Sequence, residues 1–337
     1  MKLATLKDGT RDGRLIAVSR DLRSACGADG VALTLQQALD KWDAAAPALL
    51  DLYARLNSGS VPQAFRFDAR SVMAPLPRAY QWLDGSGYRH HGELMMKAFD
   101  TDNRIGFPPD DPLIYQGGSD SLLGPCDDIE VADEAWGIDF EGEIAVITGD
   151  VRMQTPESQA GECIRLVMLA NDISLRNLIL PELSKGFGFC QSKPASSFSP
   201  VAVTPDELGP AWRGGTIHLP VRLDWNGAEF GRLNPGIGAT FTFPRFIAHA
   251  ARTRHLCAGT IIGGGTISNA VPGAGCACIA ERRAIERIET GSPKTPFMKF
   301  GDGIRIEMLD AEGRSIFGAI DQRVVPYRGA GSGDQAR

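Results

Sequence analysis

The stretch Trp136-Gly137-Ile138-Asp139-Phe140-Glu141-Gly142-Glu143-Ile144-Ala145-Val146-Ile147 decides how this chain is read. Its apolar residues describe a buried β-strand, yet two carboxylates, Glu141 and Glu143, interrupt it two residues apart. Side chains at that spacing leave a strand on the same face, so both acids are expected to converge on one spot. Acids alternating along a strand ordinarily decorate a wet face. Here Phe140 and Ile144-Ala145-Val146-Ile147 surround them. Like charges gathered in a partly buried place are costly unless a cation neutralises them. A bound metal ion is the simplest such cation.

Working outward, 337 residues allow one large domain or two, with ample length for a core. Hydrophobic content of 43% and charged content of 23% are those of an ordinary soluble globular protein. With Gly 39 and Pro 21 and few long helical patterns, the chain reads as β-rich and turn-rich. A net charge of -6 argues against nucleic acid or an anionic membrane as partner. No run approaches the ~18 apolar residues of a membrane span. Met1-Lys2-Leu3-Ala4-Thr5-Leu6-Lys7-Asp8-Gly9 lacks the apolar stretch of a secretory signal, so a cytoplasmic location is expected. The seven cysteines (Cys26, Cys126, Cys163, Cys190, Cys257, Cys276 and Cys278) are scattered and form no C-x-x-C pair. Neither a zinc site nor a disulfide framework follows, and most are expected to be buried thiols.

Residues 1 to 70 read as a small separate α+β unit. Lys2–Leu6 and Arg14–Ser19 flank Asp12-Gly13, a hairpin signal. A helix is expected from the N-cap Thr34 with Leu35, Ala38, Leu39 and Trp42 on one face. Pro47 is expected to end it and to open a second helix through Leu49, Leu50, Leu52 and Tyr53. Met73-Ala74-Pro75-Leu76-Pro77-Arg78 reads as a stiff crossing into a larger unit over 71–327. There short strands dominate, with hairpins at Val221–Asn226-Gly227–Leu233 and at Ile304–Leu309 with Ser315–Val325. Two helices are expected, one from Thr155-Pro156-Glu157 toward Leu169 and one from Pro244 to His255. The Gly/Ser-rich segment 328–337 reads as a flexible tail.

Other residues add to the acidic pair. Asp172 ends the apolar run Leu166-Val167-Met168-Leu169-Ala170, and Asp84 sits in the Gly-rich stretch Leu83-Asp84-Gly85-Ser86-Gly87. Four carboxylates without a thiolate suit Mg²⁺ or Ca²⁺ better than Zn²⁺, and Mn²⁺ also fits. His90-His91 is the one histidine pair, and a histidine titrates in the range needed to deprotonate water. Glu93 is near enough in sequence to orient it. Lys193, in a stretch poor in other charge, suits a developing anion. Gly263-Gly264-Gly265-Thr266-Ile267-Ser268 allows close backbone approach to a ligand, but it is not a G-x-G-x-x-G.

Taken in order, these motifs resemble the fumarylacetoacetate hydrolase family. The matching elements are Asp84 with His91 seven residues later, Glu141-Gly142-Glu143, Asn171-Asp172-Ile173-Ser174-Leu175-Arg176, Ser192-Lys193-Pro194 and Gly265-Thr266-Ile267-Ser268. They span residues 71 to 327, and the first 70 residues resemble the N-terminal domain of bacterial members. The resemblance implies a mostly β (α+β) fold, a mixed β-sandwich roll around a divalent cation, in a homodimer. It assigns Glu141, Glu143 and Asp172 to the metal, with Asp84 a fourth ligand in some branches. His91 becomes the base that activates water, with Glu93 or Glu281 as its partner, and Lys193 the stabiliser of an enolate. Arg176 and Thr266 match positions that line the substrate pocket. Ile179, Leu183, Ser86 and Asp100 depart from the pocket of fumarylacetoacetase itself.

The expected activity is metal-dependent hydrolysis of a carbon–carbon bond in a 1,3-diketo acid, fumarylacetoacetate or an acylpyruvate. Such chemistry belongs to the catabolism of aromatic amino acids or other aromatic compounds. The alternatives are a lyase or isomerase on the same site (a 2-oxo-acid decarboxylase, hydratase or tautomerase) and a ligand-binding protein with a structural cation.

Overall fold

The computed structural model describes residues 1–99 and 110–329. Asp100 and the segment 330–337 read as a tail lie outside the described residues.

Among the described residues, an eleven-stranded mixed sheet is the backbone of the molecule. Its centre is the antiparallel pair Gly142–Thr148 and Ile164–Asn171, registered Glu143↔Ala170 and Val146↔Val167. Ile261–Gly263 joins the free side of Gly142–Thr148, and Trp82–Gly85 follows in parallel, with Gly263 opposite Asp84. Ile114–Gly117 closes that edge, with Tyr115 opposite Asp84. A five-stranded sheet in the order Ala228–Leu233, Val221–Trp225, Gly303–Met308, Ile320–Pro326 and Ile129–Val131 packs on one face.

The central strands are buried on both faces, which explains their unbroken apolar sequence. Ile144, Val146, Val167 and Leu169 enter the core shared with Val221, Leu223, Ile306 and Met308. Ala145, Ile147, Leu166, Met168 and Ala170 face the opposite way, into a second core with Leu35, Leu39, Leu49 and Trp82. Strand parity therefore sends Glu143, two residues before Ala145, toward the second side. Asp84, two residues after Trp82, and Asp172, two after Ala170, follow the same parity.

The segment 1–70 has the expected α+β content, but its sheet is continuous with the rest. Lys2 pairs with Val203 and Leu3 with Ala202, so the N-terminal hairpin extends the large sheet. That pairing satisfies backbone groups that an edge would leave open. Thr34 caps the helix Leu35–Asp40 by accepting the Gln37 amide. The break falls at Lys41 (φ -130, ψ 37) rather than at Pro47, which lies inside the helix Trp42–Asn57. One missing amide is tolerated there because Ala45, Leu49, Tyr53 and Leu56 stay buried.

The hairpin at Asn226-Gly227 forms with both residues at positive φ, 51 and 78, the conformation that asparagine-glycine favours. The helix expected from Thr155 stops early: Glu157–Ala160 is helical, and Ile164–Asn171 is a strand. A short apolar run cannot by period alone be told from a buried helix, and pairing decided it. The last expected helix is Phe243–Ala250, ending before His255. All seven cysteines are free: Cys26, Cys276 and Cys278 are buried, Cys126 and Cys163 half-buried, and Cys190 and Cys257 exposed. No helix among the described residues is long and apolar enough to cross a membrane.

Candidate metal centre and base

Neighbouring strands deliver four polar side chains to one end of the large sheet. Asp84 lies in Trp82–Gly85, Tyr115 in Ile114–Gly117, Glu143 in Gly142–Thr148, and Asp172 just past Ile164–Asn171. Asp84, Glu143 and Asp172 are all buried, and each offers a carboxylate oxygen within 4.8 Å of the others. Gly263 makes room for them, since a Cβ there would overlap Asp84 Oδ1.

The electrostatics of this triad suit a positive charge among its oxygens. Both oxygens of Glu143 are buried without a hydrogen-bond donor. Burial pushes its carboxyl well above the ordinary 4.5, and Asp84, Asp172 and Glu141 push it further. Asp84 is likewise raised, first by burial and then by Asp172, although Gly265 donates its amide at 3.1 Å. A divalent cation among these oxygens would remove both penalties. An all-oxygen donor set suits a hard ion such as Mg²⁺, Ca²⁺ or Mn²⁺.

Glu141 stands beside this group rather than in it. Its Oε1 accepts from Ser174 Oγ at 2.9 Å and is 2.6 Å from Arg176 Nη2, while Oε2 accepts from Lys193 Nζ at 3.0 Å. Burial alone would raise its carboxyl, but Lys193 and Arg176 outweigh burial and hold it below the usual range. Of the four carboxylates read from the sequence, the structure thus gathers Asp84, Glu143 and Asp172, and turns Glu141 toward two cations.

Lys193 is the buried counterweight. Its Nζ donates to Asp172 Oδ2 at 2.6 Å and lies 5.3 Å from the centre of the Tyr115 ring. Burial disfavours its charge, yet Asp172 and Glu141 prevail and keep it protonated. Asp172 also accepts from Tyr115 OH at 2.6 Å and from Ser196 Oγ at 2.5 Å. The segment before Lys193 is held by Glu182, which accepts the amides of Cys190, Gln191 and Ser192 and the Ser192 hydroxyl.

His91 lies in the helix Arg89–Phe99, and its Nδ1 is 2.6 Å from Glu281 Oε2 in the helix Ile279–Thr290. Glu281 is therefore the partner of His91. Glu93 is not: it is exposed, and residues two apart on a helix do not share a face. Arg176, at the start of the helix Arg176–Leu183, bridges Glu141 and Asp139. Thr266 is buried just after Gly265, whose φ of +79 brings its backbone against Gly85 and Gly87. Ile179 and Leu183 are half-buried one turn apart on the Arg176 helix, and Ser86 is half-buried after Asp84.

Sequence reasoning missed Tyr115, Asp139, Ser174, Glu182 and Ser196. Asp139 had a signal, because it continues the two-residue spacing of Glu141 and Glu143 onto the same face. Ser174 lay inside the Asn171–Arg176 motif without being singled out, and nothing local marked Tyr115, Glu182 or Ser196.

Comparison with known proteins places nearly the whole chain. Residues 81–325 match the family described as Fumarylacetoacetate (FAA) hydrolase C-terminal, and residues 1–78 match Fumarylacetoacetase N-terminal domain 2. An uncharacterized protein of Pyrococcus horikoshii is 30% identical over 162 residues, 47% of this chain and 67% of that protein. The mitochondrial oxaloacetate tautomerase of Xenopus laevis is 29% identical over 108 residues, 30% of this chain and 34% of that protein. Maleylpyruvate hydrolase from Sphingobium sp. SYK-6, solved in complex with manganese(II) and pyruvate, shares the fold with a TM-score of 0.64 at 16% identity. That alignment covers 97% of this chain and 100% of the other.

Proposed function

Because this chain belongs to the fumarylacetoacetate hydrolase family, we propose that it is a divalent-metal-dependent hydrolase cleaving a carbon–carbon bond in a 1,3-diketo acid. Fumarylacetoacetate and acylpyruvates are the candidate substrates. The observation that carries the reading is Glu143, doubly unpartnered in a buried carboxylate triad, together with the His91–Glu281 pair.

Asp84, Glu143 and Asp172 would hold the cation, with Glu141 alongside. A bound divalent cation supplies Lewis-acid polarisation of substrate oxygens. His91 donates its Nδ1–H to Glu281 and so presents a basic Nε2 that takes a proton from water. The hydroxide attacks the distal carbonyl. When the tetrahedral adduct collapses, the C–C bond breaks and its electron pair leaves as the enolate of the departing oxo acid, pyruvate from an acylpyruvate and acetoacetate from fumarylacetoacetate. The Lys193 ammonium, already poised toward two carboxylates, offsets that charge until carbon is protonated. Arg176 and Thr266 line the substrate pocket. Mg²⁺ is the proposed native ion.

The test is a panel of acylpyruvates and fumarylacetoacetate, assayed with and without chelator. Two acid fragments should form, stop forming in chelator, and return with Mg²⁺. Indifference to chelator on a good substrate would reject the reading. A second reading, a lyase or isomerase, is favoured by the tautomerase relative. Released CO₂, added water or a shifted double bond would select it. The homodimer is likewise a proposal, and a monomeric mass by light scattering would end it.

A further inference from the structure

The helix Arg89–Phe99 carries two consecutive histidines, and both end on one acceptor system. His91 Nδ1 is 2.6 Å from Glu281 Oε2, and Ser268 Oγ is 3.0 Å from Glu281 Oε1. His90 Nδ1 is in turn 2.8 Å from Ser268 Oγ. Ser268 and Glu281 are both buried. Asn269 clamps the serine's segment by accepting the Asn234 amide at 2.8 Å and donating to the Ile237 carbonyl at 2.8 Å.

Counting protons assigns every donor. A carboxylate only accepts, and a serine hydroxyl has one proton to give. The Ser268 proton therefore goes to Glu281 Oε1, and Ser268 must accept from His90. His90 Nδ1 thus carries a hydrogen, as does His91 Nδ1. Whenever such a ring is neutral, the bond made by Nδ1 fixes the state of the other nitrogen, and Nε2 is left without a hydrogen.

We propose that His90 is a positioning residue for His91. Through Ser268 it occupies Glu281 Oε1 and fixes the carboxylate plane, which reserves Oε2 for the His91 Nδ1–H. What this role needs from residue 90 is a donor at the Nδ1 position, not an imidazole. An asparagine amide reaches the same place, whereas phenylalanine offers no donor. The inference rests on the reading of His91 as the base, but the tautomer pattern itself can be observed without any substrate.

The experiment is ¹⁵N imidazole spectroscopy of the cation-free full chain, with both rings neutral, on the wild type, His90→Asn, His90→Phe and Ser268→Ala. In the wild type both rings should carry the Nδ1–H signature. His91 should keep it in His90→Asn, and should shift toward a mixture with Nε2–H in His90→Phe and Ser268→Ala. In parallel, His90→Phe should lower kcat about tenfold with little change in KM, the scale of losing an outer partner of a functional histidine. His90→Asn should recover most of that loss. An Nε2–H ring at His90 in the wild type would overturn the proposal. So would an unchanged His91 signature in a folded His90→Phe or Ser268→Ala protein. Each variant is read alone, so a folding defect in one leaves the other decisive. A correct tautomer pattern without turnover of any diketo acid would instead count against the hydrolase reading.

Discussion

Arg176 Nε donates to Asp139 Oδ2 at 2.8 Å, and the same carboxylate receives the amides of Ile279 and Ala280 at the start of another helix. One fully buried acid thus ties the arginine beside Glu141 to the helix whose first turn holds Glu281. A carboxylate at a helix N-terminus meets two unsatisfied amides and the positive end of the dipole. Asp139 is where the carboxylate cluster and the His91–Glu281 pair are joined.

Asp139→Ala leaves Arg176 buried with one partner fewer and two helix amides bare. Removing one member of a buried pair costs about 3–5 kcal/mol, to be read by urea unfolding. The milder Asp139→Asn should fold and lower kcat about 10²-fold by misplacing Glu281 and Arg176. Wild-type turnover in a folded Asp139→Asn protein would separate this residue from function.

Lys193→Ala should lower kcat by about 10²–10³, the usual loss on removing one stabiliser of a developing anion. The change also leaves Glu141 and Asp172 without their shared cation. The variant should therefore be less stable in chelator and regain stability with Mg²⁺, as followed by thermal melting. Near-normal turnover would remove Lys193 from the chemistry.

Cation and pH should act together on stability. Asp84 and Glu143 are raised above the ordinary 3.8 and 4.5, first by burial and then by neighbouring carboxylates. Above those ordinary values the folded, cation-free protein binds more protons than the unfolded chain, so its stability falls as pH rises. Cation binding displaces those protons. The gap in Tm between Mg²⁺-saturated and chelated protein should widen as pH rises above the ordinary carboxylate range. Glu143→Gln should flatten the pH dependence of the chelated form.

Glu182 should stabilise the segment that carries Lys193. Donation from the Cys190 amide, then from the Ser192 hydroxyl, lowers its carboxyl from 4.5 to about 2. A depressed carboxyl contributes stability that is present above 4.5 and is lost as pH falls toward about 2. At neutral pH, Glu182→Gln is expected to cost about 1–3 kcal/mol in urea unfolding and to lower kcat through Lys193. The difference from wild type should close in acid. A constant difference down to the acid limit would assign the loss to packing.

Much of the framework is legible in local sequence. Asn226-Gly227 announces its hairpin because few dipeptides accept two positive φ values. Thr34 announces a helix start because its hydroxyl can accept a free amide. Ile164–Asn171 misleads because a strand buried on both faces has no alternation to read. Pro47 misleads because tertiary burial of Leu49 and Tyr53 overrides the local cost of a proline.

The chain itself determined that acids would alternate within an apolar strand, and which histidines, lysine and glycines would accompany them. Only the folded arrangement decided their companions: Asp84 with Glu143 and Asp172, Glu141 with Lys193 and Arg176, and His91 with Glu281. His91 and Glu281 are 190 positions apart in the chain. The physical reason is that strand parity is a property of neighbouring residues. Which strand lies beside which, and in what register, depends on hydrogen bonds and packing between segments far apart along the backbone.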